Sequence, residues 1–356
     1  MRRTIVVGGG IAGASTAYHL AKAGVGVTLV DRADSGQATD AAAGIICPWL
    51  SQRRNKTWYQ LAKNGARYYP VLIKELEAMG ERDTGYKQVG GMCLHTSGNK
   101  LNQIEERAYE RREEAPEIGE IKRLSTAETK KLFPPIADGY GAIFVSGAAR
   151  VSGRSLRNAL VRAAEKLGAT VLHGDAALVY SEQRVAGVRV EGKILEADHI
   201  LVTAGAWANE LLHPLGIDIN ITYQKAQIVH LHLPEADTDT WPVVMPPGDH
   251  YIVPFPSGRI VVGATHENDT GMDLRITAGG MYEIFDKALT VAPGLKISTV
   301  LEARVGIRPF TPDFLPVFGS VEGVRGLFIA NGLGASGLTT GPYIGAELAQ
   351  RVLCMS

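Results

Sequence analysis

The first thirty residues change period twice. Thr4-Ile5-Val6-Val7 is a short, apolar, β-branched run that reads as a buried strand. From Ile11 to Ala23 the spacing becomes helical, with Ala12, Ala17, Tyr18, Leu20 and Ala21 available for packing and Gly24 as the stop. Val25 to Val30 is apolar again and ends at Asp31. Strand, glycine loop, helix and strand in this order make a βαβ unit with a parallel sheet behind it.

Further along, residues 57–80 carry an amphipathic helical pattern (Tyr59, Leu61, Ala62, Tyr69, Leu72, Ile73, Leu76, Met79) that Pro70 should bend. Residues 99–131 are densely charged and helical in composition, which predicts a solvated helical face. A helix over 153–168 is capped by Ser152 and stopped by Gly168. Strands follow at Thr170–His173, Val185–Val190 and Ile200–Thr203. Between about 221 and 305 the character shifts to short strands (Ile228–Leu233, Tyr251–Pro254, Arg259–Gly263) parted by Pro and Gly turns, the mark of an antiparallel β-rich insertion. A strand at Gly326–Ala330, a Gly-rich loop at Asn331–Gly341 and a helix at Pro342–Leu353 close the pattern.

The chain has 356 residues, room for two domains and a large core without disulfide or metal staples. Its 37 Lys plus Arg balance 37 Asp plus Glu, which argues against a nucleic-acid binder. The three cysteines, Cys47, Cys93 and Cys354, include no C-x-x-C pair, so a structural zinc site or disulfide framework is not expected and a reducing cytoplasm is. Cys47 reads as a small apolar filler. No metal is called for. No apolar run is long enough for a spanning helix. The opening Met-Arg-Arg before an apolar run superficially resembles a signal peptide, but Gly8 to Gly13 would make a poor hydrophobic segment, and the strand reading is preferred.

The chemistry begins at Gly8-x-Gly10-x-x-Gly13, which follows a strand and opens a helix, with Asp31 eighteen residues after Gly13. Gly8 allows the tight turn, Gly10 lets the backbone approach a pyrophosphate, Gly13 lets helix and strand pack, and Asp31 can accept ribose hydroxyls. The spacing recurs at Gly332-x-Gly334-x-x-Gly337, but only nineteen residues remain after Gly337, too few for a second nucleotide fold. A Gly-rich loop opening a terminal helix suits instead the negative charge of a reduced flavin ring.

With these motifs the chain resembles the FAD-dependent D-amino-acid oxidase superfamily, in particular its glycine oxidase and sarcosine oxidase group. The segments that carry the resemblance are the N-terminal fingerprint, "ATDAAAGI" at 38–45, "VTAGAWA" at 202–208, "YIVPFPSGRIVVGATHE" at 251–267, "GIRPFTPDFLPVFG" at 306–319 and "NGLGASGLTTGP" at 331–342. It implies an α/β fold: a Rossmann-like FAD-binding domain of glutathione-reductase type, with an inserted α+β substrate domain on an antiparallel sheet. The expected division gives 1–85, 150–220 and 305–356 to FAD and 86–149 and 221–304 to substrate.

The resemblance further implies FAD contacts from Gly8, Gly10, Ile11, Ala12, Gly13, Asp31 and Arg32. Others come from Thr39, Ala42, Ala43, Gly44 and Ile45, from Ala177, and from Ala204, Gly205 and Trp207. The last set is Gly332, Gly334, Ala335, Ser336, Gly337, Leu338 and Thr339. It implies hydride transfer from a small amine or amino acid to flavin N5, imine hydrolysis, and reoxidation by molecular oxygen with release of hydrogen peroxide. Arg308 in "GIRP" matches the family's carboxylate-binding arginine, Tyr251 a pocket tyrosine, and His266 stands at the pocket wall, where a structural role is the competing reading. Three departures stand out. Ala335 occupies the place of a second arginine, Val261 that of a lysine tied to oxygen activation, and residues 304–313 contain no Cys, so FAD should be non-covalent. A dehydrogenase of D-amino or 2-hydroxy acids feeding a quinone or carrier, and a non-catalytic flavoprotein subunit, are the alternatives. A homo-oligomer is compatible with the sequence.

Overall fold

The computed structural model describes residues 3–181 and 183–355, and two larger sheets organise them. The first has six strands in the order Val317–Ser320, Leu327–Asn331, His199–Val202, Arg3–Val7, Gly26–Asp31 and Thr170–His173. They run parallel except where Val317–Ser320 lies against Leu327–Asn331. Residues 4–7 are all buried, as befits a central strand covered on both faces.

Helix Ile11–Lys22 connects the strands Arg3–Val7 and Gly26–Asp31 and crosses the terminal helix Gly337–Cys354. The crossing is close because Gly345 faces Ser15: a Cβ on Gly345 would lie 2.6 Å from the Ser15 Cβ. Ser15 Oγ also donates to the Pro342 carbonyl at 2.7 Å. This contact sets the loop at 332–336 beside the loop at 8–10. The terminal helix begins at Gly337, earlier than the expected Pro342, so the proline sits inside it. Pro342 has no N–H to give the Leu338 carbonyl, and the buried Tyr69 hydroxyl donates there instead, at 2.5 Å.

The second sheet has nine strands and is mainly antiparallel. Thr222–His232 pairs with Arg259–Gly263 and Glu267–Asn268 on one side and, along its whole length, with Thr299–Phe310 on the other. The sheet continues through Tyr251–Pro254, Val243–Met245, Gly91–His95, Gly141–Val145 and Ile121–Leu124. Helix Ala278–Val291 covers one face, burying Ile284, Ala288 and Val291 with Val229, Ile252, Ile260 and Val262.

Three elements depart from the sequence reading. The charged stretch at 99–131 is broken into helices Gly98–Glu114 and Thr126–Leu132 by the strand Ile121–Leu124, whose two end residues alone are buried. Ala176–Ser181, Arg184–Val190 and Lys193–Glu196 form their own antiparallel sheet. The strand Thr299–Phe310 runs straight across the expected boundary at 304/305, so the antiparallel sheet carries Arg308. The pattern at 57–80 forms helix Lys56–Ala78, with Asn55 Oδ1 accepting from the Trp58 N–H at 2.9 Å. No helix among the described residues is long and apolar enough to cross a membrane.

Candidate active site

A cavity of about 550 Å³ lies between the two sheets. Its floor is the turn after Arg3–Val7. Gly8 adopts φ +104°, and a Cβ there would sit 2.7 Å from the Ala204 backbone. Gly13 lies behind this turn: a Cβ on it would come within 1.9 Å of the Gly8 carbonyl oxygen and 2.5 Å of Thr203 Oγ1. Gly10 differs, because a Cβ there would meet only Thr39 Oγ1, at 3.5 Å, and the room beside it opens into the cavity. Thr39 Oγ1 accepts from the Ile11 N–H at 3.0 Å and fixes the start of the helix.

Asp31 closes this end. One carboxylate oxygen accepts from the Gly9 N–H; the other accepts from the Ala33 N–H at 2.6 Å and Gln37 Nε2 at 3.0 Å. Arg32 is ringed by Asp34, Asp175 and Glu210, with ion pairs of 2.8–3.1 Å. Trp207, Leu211, Pro214 and Leu215 line the same end with Ala177 and Leu178.

The opposite end is built by the antiparallel sheet. In the pairing of Thr222–His232 with Thr299–Phe310, Arg308 stands opposite Gln224, and Arg308 Nη1 donates to Gln224 Oε1 at 3.2 Å. The Tyr251 hydroxyl lies near enough to the guanidinium for each group to shift the other. Burial pushes the Arg308 pKa down and Tyr251 pulls it back; burial pushes the Tyr251 hydroxyl up and Arg308 pulls it down. Among the described residues no carboxylate lies within ion-pair distance of Arg308, which is half-buried in the cavity wall. Nearer the mouth, His266 Nδ1 lies 3.2 Å from Asp249 Oδ2, and Lys287 Nζ reaches the other Asp249 oxygen at 3.1 Å. Burial pushes the His266 pKa down, and Arg308 adds to that.

A sequence model for the FAD dependent oxidoreductase family matches residues 3–351. The chain belongs to that family. Uncharacterized oxidoreductase YurR of Bacillus subtilis is 63% identical over 354 residues, covering 99% of this chain and 95% of the relative. The crystal structure of iminodiacetate oxidase (IdaA) from Chelativorans sp. BNC1 is similar at TM-score 0.96 and 44% identity, over 99% of this chain and 95% of that one. Glycine oxidase from Geobacillus kaustophilus is similar at TM-score 0.85 and 28% identity, over 99% and 95%. This protein is therefore an FAD-dependent oxidoreductase of the D-amino-acid oxidase type, with the mixed α/β architecture of that group. The cavity fits the cofactor: a helix N-terminus over a glycine turn, an open space beside Gly10 and an acid at the end of the second strand.

The structure brings the expected site residues to this cavity, with three exceptions. Arg308, Tyr251 and His266 line it, as do Thr39, Ala42, Ala43, Gly44 and Ile45 and most of the glycine-loop and terminal-helix set. Gly13, Gly332 and Ser336 are outside its wall. Gly13 serves the helix–turn packing. Gly332 adopts φ +73° against Thr311, and Ser336 Oγ accepts from Trp58 Nε1 at 3.0 Å. Sequence reasoning missed Asp249 and Gln224. Asp249 stands two residues before Tyr251 in a Pro-Gly turn, and Gln224 is a polar residue two positions before Ala226 on the same strand face. Cys47 and Cys93 are buried thiols, pushed up to about 12 and about 11 by burial, which keeps them protonated and unreactive.

Proposed function

We propose that the protein oxidises the C–N bond of a small amino acid or N-substituted glycine whose carboxylate pairs with Arg308, using oxygen as electron acceptor. The observation that carries this reading is the Arg308 guanidinium, held on Gln224 and near Tyr251 in the cavity, with no acid of its own among the described residues. Its planar fork matches a carboxylate in two-pronged fashion. Bound, FAD supplies a hydride acceptor for the carbon next to the amine nitrogen. Arg308 and Tyr251 fix the substrate by its carboxylate, Gln224 holds the guanidinium plane, and the cavity walls at Ala226, Leu333 and Ala335 exclude bulk water from the reacting carbon. The product imine hydrolyses to an oxo acid and an amine.

The names of the relatives support this class. Glycine, and iminodiacetate twice over, contain the same N–CH2–carboxylate unit. Both relatives are oxidases by name, which favours oxygen as acceptor and hydrogen peroxide as product. With no Cys between 304 and 313, non-covalent FAD completes the reading, with the six-stranded sheet as cofactor domain and the nine-stranded sheet as substrate domain. The test is a peroxide assay under air over glycine, sarcosine, D-alanine and iminodiacetate. Peroxide with at least one of them is expected. Flavin reduction without peroxide would move the protein to the dehydrogenases, and no reduction by any of them would overturn the reading.

A further inference from the structure

Resting on that reading, we infer that Asn268 is a positioning residue for the substrate carboxylate: it acts through Gln224 to hold the Arg308 guanidinium, and the segment 265–277 braces it there. Asn268, Gln224 and Arg308 form a row across the antiparallel sheet. The strand Thr222–His232 runs between Glu267–Asn268 and Thr299–Phe310, and its register sets Gln224 opposite Asn268 on one side and opposite Arg308 on the other. Directly paired residues share a sheet face, so the three side chains stand on the same one.

Gln224 is the link. Its Oε1 accepts from Arg308 Nη1 at 3.2 Å, and its Nε2 donates to Asn268 Oδ1 at 3.0 Å. A primary amide has one accepting end and one donating end, whereas a guanidinium can only donate. With the Gln224 amide turned over, its NH2 would face the guanidinium as donor against donor. Asn268 Oδ1 takes the NH2 and so keeps the oxygen toward Arg308. The guanidinium is then held before a carboxylate arrives, which lowers the ordering cost of binding.

The brace is anchored on the opposite face of the same strand, where Lys225 and Gln227 are fully buried. Lys225 Nζ lies 3.5 Å from Glu267 and 3.1 Å from Asp273, one carboxylate on each limb of the segment. Gln227 ties the two ends together: its backbone N–H donates to Thr265 Oγ1 at 2.9 Å, and its Nε2 donates to Thr277 Oγ1 at 3.0 Å and to Glu267 at 2.7 Å. The Thr277 N–H returns a bond to Gln227 Oε1 at 2.9 Å. Glu267 is thus pinned from two sides, and Asn268 is its chain neighbour. A bond between two amides open to water is worth little when both must be ordered to make it. Here the limb that carries Asn268 is already ordered.

The experiment is a double-mutant cycle on the holoenzyme. Anaerobic flavin reduction gives the dissociation constant and the limiting rate for sarcosine and for N-methylethylamine, which lacks the carboxylate, with FAD content and thermal melting recorded for each variant. Asn268→Leu should weaken sarcosine binding by about three- to tenfold, the worth of one hydrogen bond, with little change in the limiting rate or in the other amine. Asn268→Asp offers only acceptors to Gln224 Nε2 and should bind sarcosine nearly as wild type does. Gln224→Leu should also weaken sarcosine binding, and Asn268→Leu should add nothing on that background, because its route to Arg308 is gone. Additive losses in the double variant, or equal losses on both amines in Asn268→Leu, would overturn the assignment while leaving the Arg308 reading standing. Equal losses on both amines in Arg308→Ala would overturn both.

Discussion

Arg308 and Tyr251 line one cavity from two strands that share a sheet but are not paired with each other. Strand pairing places Arg308 opposite Gln224, which accepts from its Nη1, and the Tyr251 hydroxyl is near enough to pull the guanidinium pKa back up. Tyr251→Phe keeps the ring and removes only that hydroxyl. A hydrogen bond to a charged group contributes about 1.5–3 kcal/mol, so kcat/KM for a carboxylated amine should fall roughly tenfold or more, mostly through KM. Steady-state kinetics at fixed FAD content checks this, and an unchanged KM would show that Gln224 suffices.

Gly10 and Gly13 should separate cofactor binding from folding. A side chain at Gly10 meets only Thr39 at ordinary contact distance and projects into the cavity. Gly10→Val should therefore give a folded protein without FAD. Gly13→Ala forces a methyl to within 1.9 Å of the Gly8 carbonyl oxygen and should cost about 1–3 kcal/mol or more of stability. Absorbance at 450 nm and thermal melting distinguish the two outcomes. Normal FAD content in Gly10→Val would mean that the phosphates lie elsewhere.

His230 gives a pH dependence of stability. It is 3% exposed on the strand Thr222–His232, and burial, then Arg304 and Arg259, push its pKa down to about 4 against the opposing pull of Glu302. Folding thus favours the neutral ring. The associated stability is complete above about pH 6.5, the unfolded value, and is lost as pH falls toward 4, by up to about 3 kcal/mol. Urea midpoints at pH 7 and pH 5 should differ in wild type and differ less in His230→Leu. Equal slopes in the two proteins would remove His230 as the source.

The glycine turn was legible because each glycine has a separate steric reason, and those reasons leave a spacing in the chain. Asp249 was not, since nothing local ties a turn aspartate to a histidine seventeen residues later; the sheet does that by pairing Tyr251 with Gly263. The strand Thr299–Phe310 was hidden because its first four residues are exposed on both faces and lack the alternation of a half-buried strand. The short strand Ile121–Leu124 was lost among charges for a similar reason, with Lys122 and Arg123 at its exposed centre.

The central claim is that Arg308 holds the substrate by its carboxylate, and the most direct measurement is anaerobic flavin reduction by wild type and Arg308→Ala with two amines. One is sarcosine; the other is an amine of similar size without a carboxylate, such as N-methylethylamine. Removing one partner of a desolvated charge pair costs about 2–5 kcal/mol, so sarcosine should lose roughly 30-fold to several thousand-fold in kcat/KM. Arg308→Lys should recover part of it, since the charge returns without the two-pronged geometry. The account predicts a far smaller loss for the uncarboxylated amine. Equal losses on both amines, at equal FAD content, would contradict it and assign Arg308 to the fold or to the flavin.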